Sequence, residues 1–101
     1  HSEMSTIPII EAYYEAGGEE KGDAILRDYA AQLVEHIDYY ARFDGRFASQ
    51  VDPLIDEGLE IYEILYMTAA RYGRRELVAE MNDFYRSIGV EEADLIQLTA
   101  E

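Results

Sequence analysis

The stretch from Ala12 to Leu26, AYYEAGGEEKGDAIL, decides the fold. Ahead of it, Ile7 and Ile10 lead into Tyr13 and Tyr14 at the three- to four-residue spacing of a helix face, and Gly17-Gly18 then ends the pattern. Beyond the glycines, Glu19 and Glu20 stand where the dipole of a new helix favours acid, and Ala24, Ile25 and Leu26 open a second stripe. The stretch therefore reads as helix, tight turn, helix.

The same punctuation divides the rest of the chain. Ser5 or Thr6 can cap the first helix and Pro8 falls in its first turn, where proline costs little, so a helix is expected over 6–16. The second stripe continues through Tyr29, Ala30, Leu33, Ile37 and Tyr40 as far as Phe43, which predicts a long helix over 19–43. Asp44-Gly45 is a turn signal, and Ser49 or Asp52 with Pro53 close behind marks the next start. A third helix then runs to Tyr72, with Leu54, Ile55, Leu59, Ile61, Tyr62, Ile64, Leu65 and Ala69 as its apolar stripe, and stops at Gly73. From Arg74 to Ile88, Leu77, Val78, Met81, Phe84, Tyr85 and Ile88 repeat the pattern before Gly89.

No segment alternates with the period of a strand, and the connections are short, so consecutive helices should lie antiparallel. The expected fold is all-α, a four-helix array of two antiparallel helical hairpins over residues 5–89. An acidic tail follows over 90–101, with a short turn at Glu91–Leu98, and residues 1–4 read as vector-derived or disordered. In that array Lys21, Arg71, Arg74 and Arg75 share one pole, and Arg42 and Arg46 lie at the other.

Composition bounds the function. With 49% hydrophobic and 30% charged residues, the 101-residue chain can bury one core and is too apolar for disorder. A formal net charge of −14 repels phosphate backbones and anionic lipid, which argues against nucleic acid as a partner. Absence of cysteine removes disulfides, thiolate metal sites and a thiol nucleophile. No apolar run approaches the ~20 residues of a membrane span, so direct membrane insertion is not expected.

The turn at Gly17 has an echo. Residues 69–81, AARYGRRELVAEM, again place a glycine, Gly73, between two helices, with a small or apolar stripe beyond it. This pairing resembles the tetratricopeptide pattern, in which glycine turns the chain and small residues let helices approach closely. The resemblance departs at Gly22, where alanine is usual, in the missing aromatic of the second copy and in the length of the second helix.

A narrower resemblance covers roughly 8–88, from IIEAYYEAGGEEKGDAILRDYAAQLVEHIDYYARFDGRFASQV to AARYGRRELVAEMNDFYRSI. It is similar to the C-terminal region of large multi-pass inner-membrane proteins of Bacteroidetes, long labelled a domain of unknown function, whose N-terminal parts resemble protein O-mannosyltransferases. The resemblance implies a soluble, helical, periplasmic extension of a glycosyltransferase-like membrane protein, with the transferase chemistry outside this chain. Without it, a cytoplasmic location is expected. No catalytic residue of that family maps onto these positions.

The residues themselves point the same way. His36, with Glu35, Asp38, Asp28 and Gln32 nearby, lacks the converging ligands and the glutamate-to-histidine spacing of helical di-metal sites, so no metal or other cofactor is expected. Acid pairs such as Glu57 with Glu60, Glu60 with Glu63, and Glu76 with Glu80 read as solvated surface in a chain with 22 acids. Nine tyrosines suit a thin bundle, since the ring can be buried while the hydroxyl reaches water. Tyr39, Tyr40 and Arg42 form one candidate interaction surface, and Arg71, Arg74 and Arg75 a second.

The function expected is a non-catalytic interaction or scaffold domain whose partner is a protein, the rest of its own parent chain, or a second copy. The alternative is a peptide- or carbohydrate-binding module with a tyrosine-lined groove.

Overall fold

The computed structural model describes residues 5–43 and 48–98. Four α-helices follow in order: α1 over Thr6–Glu15, α2 over Glu19–Ala41, α3 over Ala48–Arg71 and α4 over Arg75–Ser87. A single 3-10 turn, Glu92–Asp94, comes after them, and no strand occurs among the described residues. The protein is all-α, as expected. The Asp44-Gly45 turn, Arg46, and the ends of the chain at 1–4 and 99–101 lie outside the described residues.

The chain divides into two packing units, one ending at Leu65 and the other beginning at Tyr66. In the first unit, Ile7, Ile10 and Tyr14 of α1 are buried, as are Leu26, Tyr29, Leu33 and Ile37 of α2 and Val51, Ile61, Tyr62 and Leu65 of α3. Two glycines inside helices set how near those helices come. A Cβ on Gly22 would lie 2.6 Å from Cε1 of Tyr14, and one on Gly58 would lie 3.0 Å from Cγ1 of Ile37. Position 22 holds glycine rather than alanine because the Tyr14 ring occupies the space an alanine methyl would need, while the Tyr14 hydroxyl donates to Asp23 Oδ1 at 2.8 Å.

In the second unit, Tyr66 and Ala69 at the end of α3 and Leu77, Val78 and Met81 of α4 are buried, together with Leu95 beyond the helices. The segment expected as an acidic tail is thus partly built into the core.

The stops of α1, α3 and α4 share one design. Gly17, Gly73 and Gly89 adopt φ of 84°, 68° and 91°, a left-handed conformation that a side chain disfavours. At each, the glycine N–H bonds back to the helix and the following N–H reaches one carbonyl further. Gly17 donates to Tyr14 at 3.2 Å and Gly18 to Tyr13 at 2.8 Å, Gly73 to Ala70 at 3.0 Å and Arg74 to Ala69 at 2.8 Å, and Gly89 to Arg86 at 3.1 Å and Val90 to Tyr85 at 3.0 Å. This is the Schellman arrangement, which satisfies carbonyls the helix end leaves bare. From Gly17 to Gly73 is 56 positions, against a tetratricopeptide period of about 34; helices α2 and α3, of 23 and 24 residues, set the longer spacing.

Several boundaries and stripe positions differ from expectation. Helix α2 ends at Ala41, before Phe43, and α3 starts at Ala48, so Pro53 is its sixth residue. Proline there removes the one bond that residue 53 would donate to the Ser49 carbonyl, and the helix continues past it. Tyr13, Phe43, Leu54, Ile64 and Ile88, all assigned to apolar faces, are exposed. Neighbours on a helix point about 100° apart, so of pairs such as Tyr13 and Tyr14 or Ile64 and Leu65 only one member is buried. Ser5 occupies the cap position of α1 without a side-chain capping bond.

Candidate interaction site

The richest surface of the first unit lies along the second half of α2. Rings there touch in series. The His36 ring meets Tyr40 edge-on with centroids 4.9 Å apart, Tyr40 meets Tyr39 at 5.0 Å, and Tyr39 meets Phe43 at 5.6 Å. Helical spacing explains the series, since 36, 40 and 39, 43 are i, i+4 pairs. Tyr39 is 53% exposed, Phe43 and Arg42 are exposed as well, and Tyr40 is half-buried. The structure therefore brings together Tyr39, Tyr40 and Arg42 at one helix end, and adds His36 and Phe43 to them.

Where α2 faces α3, a small open groove of about 260 Å³ is lined by Tyr29, Gln32, Leu33, His36, Glu57, Gly58 and Ile61. At Gly58 the two helices come close, since a Cβ there would lie 3.0 Å from Ile37 Cγ1 and 3.2 Å from His36 Cδ2. His36 Nε2 lies 3.2 Å from the Leu54 carbonyl oxygen. A carbonyl only accepts, so Nε2 carries the proton in this bond, and the ring ties α2 to α3. Gln32 on the groove wall donates to Asp28 at 3.0 Å. Only one tyrosine, Tyr29, lines the groove.

No group of three or more histidine, aspartate or glutamate side chains is placed to hold a metal ion among the described residues. Glu57, Glu60, Glu63, Glu76 and Glu80 are all exposed. No helix of the described residues is long and apolar enough to cross a membrane.

The second unit carries the arginine surface. Arg71 and Arg75 are exposed, and Arg74 is half-buried at the cap position of α4. The Arg71 guanidinium sits 4.9 Å over the Tyr72 ring and its Nη2 donates to the Tyr72 hydroxyl at 3.5 Å, so part of its charge is directed onto its own neighbour. Arg71 also ends α3, where a cation complements the helix dipole.

Two constellations were not anticipated from sequence. Tyr66, Asn82 and the backbone of Ile96 form a closed hydrogen-bonded ring, and Arg86 pairs with both Asp83 and Glu92. A single asparagine among the α4 positions is the only sequence mark of the ring, since asparagine has poor helix propensity and needs another reason to be there. The Arg86–Glu92 contact holds Glu92 below its ordinary value of 4.5, chiefly through the hydrogen bond from Arg86. The same bond is the main cause of the raised Arg86 value. Against known proteins the chain matches no family model, no curated protein and no solved structure.

Proposed function

We propose that this chain is a non-catalytic interaction or scaffold domain that engages a protein partner through the aromatic end of α2. The observation that supports this reading is the contact series of Tyr39, Tyr40 and Phe43, with Tyr39 53% exposed. Fully burying such a ring is worth about 1.5–3 kcal/mol, and these partly exposed rings forgo a share of that in water. Tyrosine and arginine are also the side chains that most often anchor protein interfaces, and Arg42 stands two positions after Tyr40 in the chain. Acid–base catalysis has little support, because the acids are spread over exposed helix faces without converging.

A small-molecule or carbohydrate site is less well supported. The α2–α3 groove, at about 260 Å³, is under the ~300–1,000 Å³ of ordinary ligand pockets, and holds a single tyrosine. The two matching turns at Gly17 and Gly73 are what favours a repeat-like scaffold. The resemblance to the membrane proteins described above extends the proposal: the domain is the periplasmic C-terminal part of a glycosyltransferase-like protein, and its partner includes its own parent chain.

The test compares the full chain with its Tyr39→Ala/Phe43→Ala variant as baits. A protein retained by the wild type and lost by the variant, then shown to bind in purified form with at least about tenfold weaker affinity for the variant, supports the reading. Identical retention by both baits overturns the aromatic surface as the binding face. Light scattering on the same two proteins reads self-association. For the parent chain, a series of membrane-spanning segments upstream of residue 5 in the source gene supports the proposal, and a start codon at Met4 overturns it.

A further inference from the structure

The segment after α4 is held by contacts that ordinary helix packing does not require. Ile96 is gripped through its backbone: its N–H donates to the Tyr66 hydroxyl at 2.6 Å, and its carbonyl accepts from Asn82 Nδ2 at 2.9 Å. The Tyr66 hydroxyl in turn donates to Asn82 Oδ1 at 2.6 Å, which closes the ring. Tyr66 and Asn82 are only 5% and 4% exposed, so their polar atoms depend on the ring for satisfaction.

Two further contacts extend the grip along the segment. Leu95, in extended conformation with φ −90° and ψ 145°, buries its side chain to 7% exposure. Glu92 accepts from Arg86 through both carboxylate oxygens, Nη2 to Oε1 at 3.1 Å and Nε to Oε2. Arg86 also reaches Asp83, one turn before it on α4, at 2.9 Å, which orients the guanidinium.

An acid, a leucine three positions later and the bare backbone of the next residue are thus recognised at three separate points. The polar contacts of Ile96 involve no side-chain atom of that residue, and none of the three points depends on continuity with α4. The segment so held is a 3-10 turn over Glu92–Asp94 that passes into extended backbone at Leu95, and backbone bonds for affinity with one or two side-chain contacts for selectivity are a recurring way for a protein to hold a peptide.

We propose that Tyr66, Asn82 and Arg86 form a peptide-binding site and that residues 92–96 are its resident occupant. The partner is a segment of another protein that makes one turn between an acidic residue and a leucine three positions later and then runs extended, as residues 92–96 do, and it enters when the resident segment leaves. A tethered occupant has a millimolar effective concentration, so the site is closed to weak competitors until something loosens the tail. The site is independent of the aromatic end of α2, and the failure of either leaves the other standing.

The experiment uses the full chain and a fluorescent peptide with the sequence from Glu91 to Leu98. Leu95→Asp places a carboxylate in the leucine slot and should free the tail. The peptide is then expected to bind the Leu95→Asp chain saturably, the wild type at least about tenfold more weakly because its own tail competes, and the Leu95→Asp/Asn82→Ala chain not at all. Equal binding to all three, or none to a Leu95→Asp chain whose circular dichroism remains helical, overturns the proposal and leaves the ring as a fixed part of the core. If Leu95→Asp loses its helices, the wild type decides by hydrogen exchange. Excess unlabelled peptide must speed exchange at the Ile96 amide while leaving Met81 protected, and an unchanged Ile96 rate overturns the proposal.

Discussion

Gly22 of α2 lies against the face of the Tyr14 ring of α1, so close that a Cβ at position 22 would stand 2.6 Å from Cε1 and 2.8 Å from Cδ1. Two effects oppose each other there. Replacing glycine by alanine in a helix interior gains about 1 kcal/mol from propensity, whereas overpacking a filled site costs typically ~1–3 kcal/mol. The ring cannot step aside cheaply, because it is buried and its hydroxyl is bonded to Asp23. Gly22→Ala should therefore destabilise the protein by up to about 2 kcal/mol net, read from the urea midpoint. In a Tyr14→Leu background the obstruction is gone and the same change should become neutral or stabilising. If Gly22→Ala costs as much with leucine at 14 as with tyrosine, the close approach is not what keeps glycine there.

Gly73 makes a contrasting case. Nothing lies within 4 Å of where its Cβ would be, so only its φ of 68° opposes a side chain. Gly73→Ala should cost about 1–2 kcal/mol. Gly73→Asn should recover a good part of that, because asparagine tolerates the left-handed region. Two urea titrations check the order. Equal costs for alanine and asparagine would remove backbone conformation as the cause.

Much of the fold could be read from the residues because its determinants are local. Each of Gly17, Gly73 and Gly89 ends a helix by a φ that glycine favours and by hydrogen bonds within six residues of chain, which is information carried in a short window. Helical period located the buried faces but did not choose between adjacent apolar residues: Tyr14 is in and Tyr13 out, Leu65 in and Ile64 out. That choice belongs to the partner helix. Gly58 carries a signal of its own, since an interior helical glycine costs about 1 kcal/mol and implies a packing reason. At the aromatic end of α2, Tyr39, Tyr40 and Arg42 were recognisable by adjacency, while the contact of His36 with the Leu54 carbonyl joins residues 18 apart. The Tyr66–Ile96 bond spans 30 residues, and no periodicity relates its ends.

The Arg86–Glu92 pair makes stability depend on acid. Glu92 is held below its ordinary value of 4.5 in the folded protein, mainly by the hydrogen bond from Arg86. A carboxylate depressed in this way contributes stability that is fully present above the unfolded value and is lost as pH falls through the folded one. The contribution should therefore be constant at neutral pH, begin to fall as pH nears 4.5 and be gone once pH lies below the folded value. Arg86 is raised above the ordinary arginine value and stays charged throughout that range. Because both groups are solvent-exposed, the effect is small and screened by salt. Comparing urea midpoints of the wild type and Glu92→Gln from pH 7 to pH 3 should show curves that converge on acidification. A constant separation across that range would mean that the pair does not contribute through its charge.

The ring of Tyr66, Asn82 and Ile96 offers a sharper test, because Tyr66 and Asn82 are buried and the three residues satisfy one another. Asn82→Ala removes the partner of the Tyr66 hydroxyl proton and of the Ile96 carbonyl at once. Tyr66→Phe removes the partner of Asn82 Oδ1 and of the Ile96 N–H. Each single change strands buried polar groups, which costs about 1–3 kcal/mol. The double variant Tyr66→Phe/Asn82→Ala strands only the backbone of Ile96, which can turn to water if the tail lifts. Its cost should then fall short of the two single costs added together by ~0.5–3 kcal/mol, the range of coupling for residues in one hydrogen-bond network. Urea titrations of the four proteins measure that coupling, and hydrogen exchange at the Ile96 amide should be faster in all three variants than in the wild type. Additivity within about 0.3 kcal/mol would mean that the ring does not act as a unit. Retained protection at Ile96 would mean that Leu95 holds the segment by packing alone.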